Sequence, residues 1–105
     1  MRRSAFNGWL LDLQKRLLVA PAGAVVLLSP TEFRLMATLV AKAGDVISRR
    51  PLLAVLDATA SGSTERGVES SIARLRRKLG EDAPLIRTVR GQGFVFKGRV
   101  EAPES

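Results

Sequence analysis

Five positions between residues 65 and 79 would place positively charged and short side chains on one face of a helix. At about 100° per residue, they fall on the same side. They are Arg66, Ser70, Ala73, Arg74 and Arg77. Arginine reaches guanine edges and phosphates by hydrogen bonding, and short side chains permit a close approach. This combination is the one that a helix needs to enter the major groove of DNA.

The opposite side of the same helix is apolar and narrow. It is formed by Val68, Ile72, Leu75 and Leu79. An ordinary amphipathic helix with a solvated basic face has the same pattern. Taken alone, the helix therefore leaves both interpretations open, and the elements around it have to decide between them.

The charge of the chain indicates a polyanionic partner. The formal net charge is +7, and residues 64–99 contain nine basic and four acidic side chains. Such a basic segment is typical of proteins that bind DNA, RNA or an acidic membrane surface. A solvated cationic surface is the alternative. Charge alone does not separate these cases.

Catalytic and metal-binding chemistry finds little support in the 105 residues. The chain contains no Cys and no His, which excludes Cys nucleophiles, His general bases and zinc fingers. Ser70 and Ser71 therefore have no His or Cys partner for hydrolysis. The aspartates are scattered singly, without the spacing of metal ligands. We predict no enzyme activity, no catalytic residue, no metal and no cofactor.

Short apolar runs precede the first helix. Residues 6–12, 16–19 and 25–28 are separated by Gly, Pro and charged residues, which predicts an antiparallel meander. Ser29, Pro30 and Glu32 then form the signature of a capping box with proline in the first helical turn. A helix is therefore predicted from Pro30, with Gly44 as its C-terminal cap.

The elements on either side of the basic helix complete a recognisable order. Val46 and Ile47 are expected to form a brief extended link, and Ser48 is the predicted N-cap of a second helix. A polar loop at residues 57–64 leads to the basic helix, which Gly80 ends. Residues 85–97 predict a hairpin around a Gly-Gln-Gly turn, and a polar, frayed tail follows Gly98. A short helix, a loop, a basic helix and a hairpin make a helix-turn-helix with a wing.

Several separated motifs resemble one known family. They are LSPTEFRL at residues 28–35, ISR at 47–49 with LL at 52–53, Arg66 and Val68, IARLRRKLG at 72–80, and IRTVRGQGF at 86–94. Their order resembles the OmpR/PhoB-type winged-helix effector domain of bacterial two-component response regulators. FNGWLLD at residues 6–12 is similar to the first strand of that domain. The resemblance extends from about residue 6 to residue 100.

The resemblance implies an α+β fold with a four-stranded N-terminal antiparallel sheet, three helices and a C-terminal β-hairpin wing. It makes the third helix the recognition helix. Matching positions imply DNA contacts by Arg66, Glu69, Ser70, Ala73, Arg74 and Arg76 on that helix, and by Thr88 and Arg90 on the wing. Arg77 joins the predicted DNA-binding residues from its place on the helical wheel. We expect Arg74 to read bases, Arg66, Arg76 and Arg77 to contact phosphates, and Arg90 to enter the minor groove.

Two features limit how far the resemblance reaches. The family often has an acidic residue and a histidine in a Val-Asp-x-His-Ile run, and here the run reads Val68-Glu69-Ser70-Ser71-Ile72. The base preferences of relatives therefore cannot be transferred. The family also carries an N-terminal receiver domain, which this chain lacks, so it is either an excised effector domain or a stand-alone regulator.

The function expected from these observations is sequence-specific binding of double-stranded DNA and regulation of transcription. The expected partners are DNA with direct-repeat half-sites, RNA polymerase through the loop at residues 57–64, and a receiver domain if the chain is an excised fragment. The alternative is a basic module that binds RNA, a ribosome or a protein through the same face. We expect one domain over residues 1–105, ordered from about 6 to 100, in the cytoplasm, with no membrane partner because no apolar run is long enough to span a bilayer.

Overall fold

The computed structural model describes residues 3–58 and 65–101. These residues form three α-helices, a short 3-10 helix and eight strands in two antiparallel sheets. In chain order the elements are β1 (Arg3–Phe6), β2 (Trp9–Asp12), β3 (Leu17–Val19), β4 (Val25–Val26), α1 (Pro30–Ala41), β5 (Val46–Ile47), α2 (Arg49–Asp57), α3 (Glu65–Leu79), the 3-10 helix (Gly80–Leu85), β6 (Ile86–Val89), β7 (Gly93–Phe96) and β8 (Val100–Glu101).

The N-terminal sheet contains five strands in the order β4-β3-β2-β1-β8. The prediction of one strand over residues 6–12 is wrong, because Asn7 and Gly8 adopt positive φ values of 50° and 86° and turn the chain between β1 and β2. The prediction of a frayed tail after Gly98 is also wrong up to residue 101. Val100 and Glu101 pair with Phe6 and Ala5, and this pairing adds a fifth strand to the four that the resemblance implies.

The first helix begins as its sequence predicts. Ser29 Oγ accepts a hydrogen bond from the backbone N–H of Glu32, and Glu32 Oε1 accepts one from the backbone N–H of Ser29. The C-terminal prediction is wrong, since Lys42 and not Gly44 is the C-cap. Gly44 lies two residues further on, with a φ of 91°, and its N–H donates to Phe96 O at 2.9 Å. Gly44 therefore joins the chain after α1 to β7.

The second and third helices pack with α1 around one apolar core. Ser48 occupies the N-cap position of α2, but its side chain makes no capping hydrogen bond. The predicted stripe of α3 is buried in the same core cluster as Phe33, Met36 and Val40 of α1. Its members Val68, Ile72, Leu75 and Leu79 are all at most 3% exposed. This burial fixes which face of α3 is left at the surface.

The C-terminal sheet contains the predicted hairpin and one further strand. β6 pairs with β7 around the turn, and β5 pairs with the other edge of β7. Residues 46 and 47 are therefore a strand of this sheet, where the sequence predicted only an extended link. A Cβ atom on Gly93 would lie 2.0 Å from Ile47 O, so only glycine allows β5 to approach β7 this closely. We call β6, β7 and residues 90–92 between them the wing.

Candidate nucleic-acid interface

The surface of α3 opposite the buried stripe carries the predicted set of side chains. All five are exposed, as the helical wheel predicts: Arg66, Ser70, Ala73, Arg74 and Arg77. We call these five residues the recognition face. Its centre consists of a hydroxyl and a methyl group, so three guanidinium groups surround a part of the helix surface with little bulk. Such a surface can approach a groove closely.

Arg74 extends from the recognition face and also contacts two side chains of its own domain. Its side chain is 53% exposed, and its Nε lies 3.5 Å from Oε2 of Glu32, whose side chain is only 5% exposed. Its Nη2 lies 3.5 Å from Ser71 Oγ. A guanidinium group has five N–H donors, so these two contacts leave donors available for a partner.

Glu32 joins the start of α1 to α3. Its Oε1 accepts hydrogen bonds from the backbone N–H of Ser29 and from Lys78 Nζ, and Lys78 Nζ also donates to Leu27 O at 2.7 Å. Burial of the carboxyl group alone would raise its pKa. The Lys78 ammonium, the Ser29 N–H and the Arg74 guanidinium together outweigh burial and hold the pKa of Glu32 below its ordinary value. Glu32 is therefore a buried anion beneath cationic residues of α3.

Arg76 joins α3 to the wing. Its Nε donates to Ile86 O at 2.9 Å and its Nη2 to Thr88 Oγ1 at 2.8 Å. The guanidinium also lies 5.9 Å from the centre of the Phe94 ring. The sequence predicted phosphate contacts for Arg76 and Thr88. That role stays a prediction, but in the structure these two side chains bind each other.

Glu69 is held by a residue that sequence reasoning did not select. Arg49, at the start of α2, donates from Nε to Glu69 Oε2 at 2.7 Å. The Arg49 guanidinium also lies 4.9 Å from the centre of the Phe94 ring. Arg49 thus contacts both α3 and the wing. The available signal was the ISR motif, in which a basic residue directly follows the N-cap.

The wing exposes the other predicted residues. Thr88 and Arg90 are exposed, and the turn is closed by a hydrogen bond from the N–H of Gln92 to Val89 O at 2.9 Å. Gly91 has a φ of 75°, which favours glycine at this tip. Arg87 is a further exposed cation on β6 that the prediction did not include. The wing and the recognition face together carry most of the predicted contact residues.

The described residues contain neither a metal-binding cluster nor a membrane-spanning helix. Over residues 3–58 and 65–101, no group of three or more acidic side chains is arranged to hold a metal ion. In that part of the chain, no helix is both long and apolar enough to cross a bilayer. The loop predicted to contact RNA polymerase falls largely on residues 59–64, which lie outside the described residues.

The sequence matches the model of a known protein family. The family model described as "Transcriptional regulatory protein, C terminal" matches residues 23–96. The chain belongs to this family. The match includes all three helices and the wing strands, and it thus covers every element that carries a predicted DNA-binding residue.

Individual relatives agree with this family assignment. Regulatory protein VirG of Agrobacterium tumefaciens is 38% identical over 104 residues, covering 95% of this chain and 39% of VirG. Aerobic respiration control protein ArcA of Escherichia coli is 34% identical over 99 residues, covering 91% of this chain and 42% of ArcA. The chain thus spans about two fifths of the length of these relatives.

A solved structure provides a three-dimensional comparison. The RstA DNA-binding domain of Klebsiella pneumoniae, crystallised in complex with the RstA box, has a TM-score of 0.78 and 29% sequence identity. The match covers 92% of this chain and 98% of that domain. The predictions of a winged-helix fold and of an OmpR/PhoB-type DNA-binding domain in transcription regulation are confirmed by this similarity and the family match. The RNA-binding or protein-interaction alternative is not favoured.

Proposed function

We propose that this transcriptional regulatory C-terminal domain reads specific duplex DNA sequences, with α3 in the major groove and the wing in the adjacent minor groove. The observation that carries the proposal is the recognition face. Three exposed arginines surround Ser70 and Ala73, while the opposite face of the helix is anchored in the core. An α-helix fits the major groove, and its Arg side chains can form paired hydrogen bonds with guanine.

Arg74 is the proposed base-reading residue. It extends beside the two small side chains of the recognition face, and its tether to Glu32 reduces the number of orientations that binding has to restrict. Arg66 and Arg77 are proposed to contact phosphates, which gives affinity and register without sequence preference. Glu69 and Ser70 are proposed to face the bases that lie between these phosphate contacts.

The wing is proposed to add a second, less selective contact. Arg90 stands next to a tip of Gly91, Gln92 and Gly93, which has little bulk to hinder approach. Narrow A·T-rich minor grooves concentrate negative potential and attract an inserted arginine. Arg76 and Thr88 are proposed to orient the wing with respect to α3, in addition to any contact with phosphate.

The wider context of the domain is also part of the proposal. It acts in the cytoplasm as the non-catalytic effector part of a two-component response regulator, joined to a receiver domain, and folds as a single unit. It binds direct-repeat half-sites, and the segment around residues 57–64 contacts RNA polymerase. Support comes from VirG and ArcA, since the matched region makes up only 39% of VirG and 42% of ArcA.

Selection of bound duplexes from a random pool tests the proposal. We expect one recurring site, bound more tightly than scrambled duplex or single-stranded DNA and still bound at moderate salt. Arg74→Ala should weaken binding to that site by about 1 to 3 kcal/mol and relax the preference at one or two base pairs. If no sequence is enriched and affinity disappears at moderate salt on duplex and single strand alike, the domain is a general polyanion binder.

Arg34→Ala provides the matched control. Arg34 is exposed on α1, where it lines a surface recess with Phe33, Thr38 and Val55. The substitution removes the same charge without altering α3. We expect it to leave base preference unchanged, whereas an equal loss of preference in both variants would assign the effect to net charge.

A further inference from the structure

We propose that Glu32 of α1 is a positioning residue for Arg74 and thereby sets the sequence selectivity of the domain. The inference rests on the proposed role of α3 in DNA reading. Glu32 does not belong to the recognition face and lies 42 positions before Arg74 in the sequence. It acts from beneath the helix, through the guanidinium group that it contacts.

The two oxygens of Glu32 have separate partners. Oε1 is bound by the Ser29 N–H and by Lys78 Nζ, while Oε2 faces Arg74 Nε. The capping box fixes the carboxylate to the first turn of α1, and burial prevents it from following a moving arginine. Glu32 is therefore a fixed anchor, and its contact with Nε restricts the orientation of the Arg74 side chain.

Anchoring affects specific and unspecific binding in opposite directions. A guanidinium group held through Nε keeps its terminal N–H groups in a narrow range of positions, which favours paired hydrogen bonds with one base. At the same time, the negative charge of Glu32 beneath α3 offsets part of the attraction of Arg74 and Lys78 to DNA phosphates. Glu32 therefore strengthens discrimination while it weakens binding to random DNA.

Glu32→Gln separates these effects from helix capping. Glutamine has a similar length and can serve in a capping box, but it has no charge to hold Arg74 and Lys78. We expect affinity for random duplex to rise about twofold to tenfold, as one anion beneath the DNA-binding surface is lost. Discrimination at the base pair assigned to Arg74 should fall at least about fivefold. A variant that is merely less well folded would lose affinity for both DNAs.

A double substitution tests whether Glu32 acts through Arg74. In an Arg74→Ala background, Glu32→Gln should change discrimination no further, although random-duplex affinity should still rise. If discrimination falls equally in both backgrounds, or is unchanged by Glu32→Gln, the inference is overturned. If Arg74→Ala itself affects specific and random DNA equally, the assigned role of Arg74 fails, and that outcome is distinct from a failure of Glu32.

Two further measurements separate positioning from folding. Ser29→Ala removes the capping hydroxyl but keeps the carboxylate, so it should lower Tm and leave base discrimination intact. In the unmodified protein, the Nε–Hε NMR signal of Arg74 should be resolved from those of Arg66 and Arg77, since Arg74 is the one of the three that contacts a buried anion within residues 3–58 and 65–101. An Arg74 signal that coincides with theirs would contradict anchoring even if Glu32→Gln did not fold.

Discussion

The arginines of α3 differ in what their guanidinium groups contact, although the sequence presents them as one basic cluster. Arg66 and Arg77 extend from the exposed face, whereas Arg74 contacts Glu32 and Arg76 binds the hairpin. An arginine that already has partners needs less ordering on binding than a free one. Equal charges on one helix are therefore expected to contribute unequally to affinity and to selectivity.

Arg76 and Arg77 provide a paired test of this difference. Arg77→Gln should weaken specific and random binding alike, and the slope of log affinity against log salt should fall by about 0.9, as expected for one lost phosphate contact. Arg76→Gln should leave the slope nearly unchanged and reduce the contribution of the wing. Titrations at several salt concentrations measure both. If the slope of log affinity against log salt also fell by about 0.9 in the Arg76 variant, Arg76 would contact a phosphate as the sequence predicted.

Glu32 should make stability depend on pH in the acidic range. Its pKa is lower in the folded chain, where Lys78 and Arg74 of α3 and the Ser29 N–H face the carboxylate, than the ordinary value of 4.5. The unfolded chain therefore takes up the proton first as pH falls. The stabilisation is complete above the ordinary pKa and is lost as pH falls through the folded pKa.

Denaturant unfolding from pH 7 to pH 3 measures this effect. The free energy of unfolding of the unmodified chain should fall towards that of Glu32→Gln as the carboxylate becomes protonated. Glu81→Gln is the control, since Glu81 is exposed in the 3-10 helix. A gap between wild type and Glu32→Gln that stays constant over the range would show that the Glu32 charge is not coupled to folding.

At the scale of elements, one face of α3 packs in the core and the opposite face is exposed. Leu75 is fully buried at the centre of the apolar stripe. Leu75→Ala should lower the free energy of unfolding by about 2 to 5 kcal/mol, because it removes buried methyl groups and leaves a cavity. Urea unfolding measures the change. Ala73→Ser, on the exposed face of the same helix, should stay within about 0.5 kcal/mol, and equal losses would contradict the orientation of α3.

The wing should contribute a preference outside the base pairs that α3 is proposed to read. Arg90→Ala is expected to remove a preference for A·T-rich over G·C-rich flanks, because the variant has no arginine at the wing tip to enter a narrow minor groove. Binding to sites that differ only in these flanks measures it, with circular dichroism to confirm the fold. Lys97→Ala, an exposed cation after β7, is the charge control. An unchanged flank preference in the Arg90 variant would exclude insertion of the wing.

Elements specified by nearby residues could be predicted, and elements completed by distant residues could not. Ser29 and Glu32 cap α1 through a local hydrogen-bond pattern, and the stripe of α3 follows from helical spacing. By contrast, Val46–Ile47 becomes a strand only because β7 lies beside it, and Val100–Glu101 only because β1 does. Two- or three-residue segments carry too little periodicity to reveal such pairing.

The candidate site divides in the same way. Exposure of the recognition face could be predicted from the helical wheel, since it depends on spacing alone. The contact between Arg76 and Thr88, the Arg49–Glu69 ion pair and the position of Glu32 depend on how α1, α2 and the hairpin pack on α3. The Asn7-Gly8 turn is a different case. Its sequence signal was present, but the apolar residues on either side were interpreted as one strand.

At the scale of the whole molecule, we propose that the recognition face and the wing together form a single DNA-binding surface, so one domain is expected to cover one half-site. We expect a monomer in solution that binds two direct-repeat half-sites, with centres about 10 to 11 base pairs apart so that both domains approach the same face of the duplex. Sedimentation without DNA and binding to duplexes of graded spacing measure this. A stable symmetric dimer in solution that prefers a palindrome would contradict it.

Trp9 lies at the contact between the N-terminal sheet and the helical half of the fold, where its fluorescence can report on that contact. Its indole Nε1 donates to Asp82 Oδ2 at 2.7 Å, which joins β2 of the N-terminal sheet to the 3-10 helix after α3. The chain has one Trp and no Tyr, so its ultraviolet-excited emission comes almost entirely from this single ring. A shift of that emission to longer wavelength would report, without any attached dye, the moment at which the sheet and the helical half come apart.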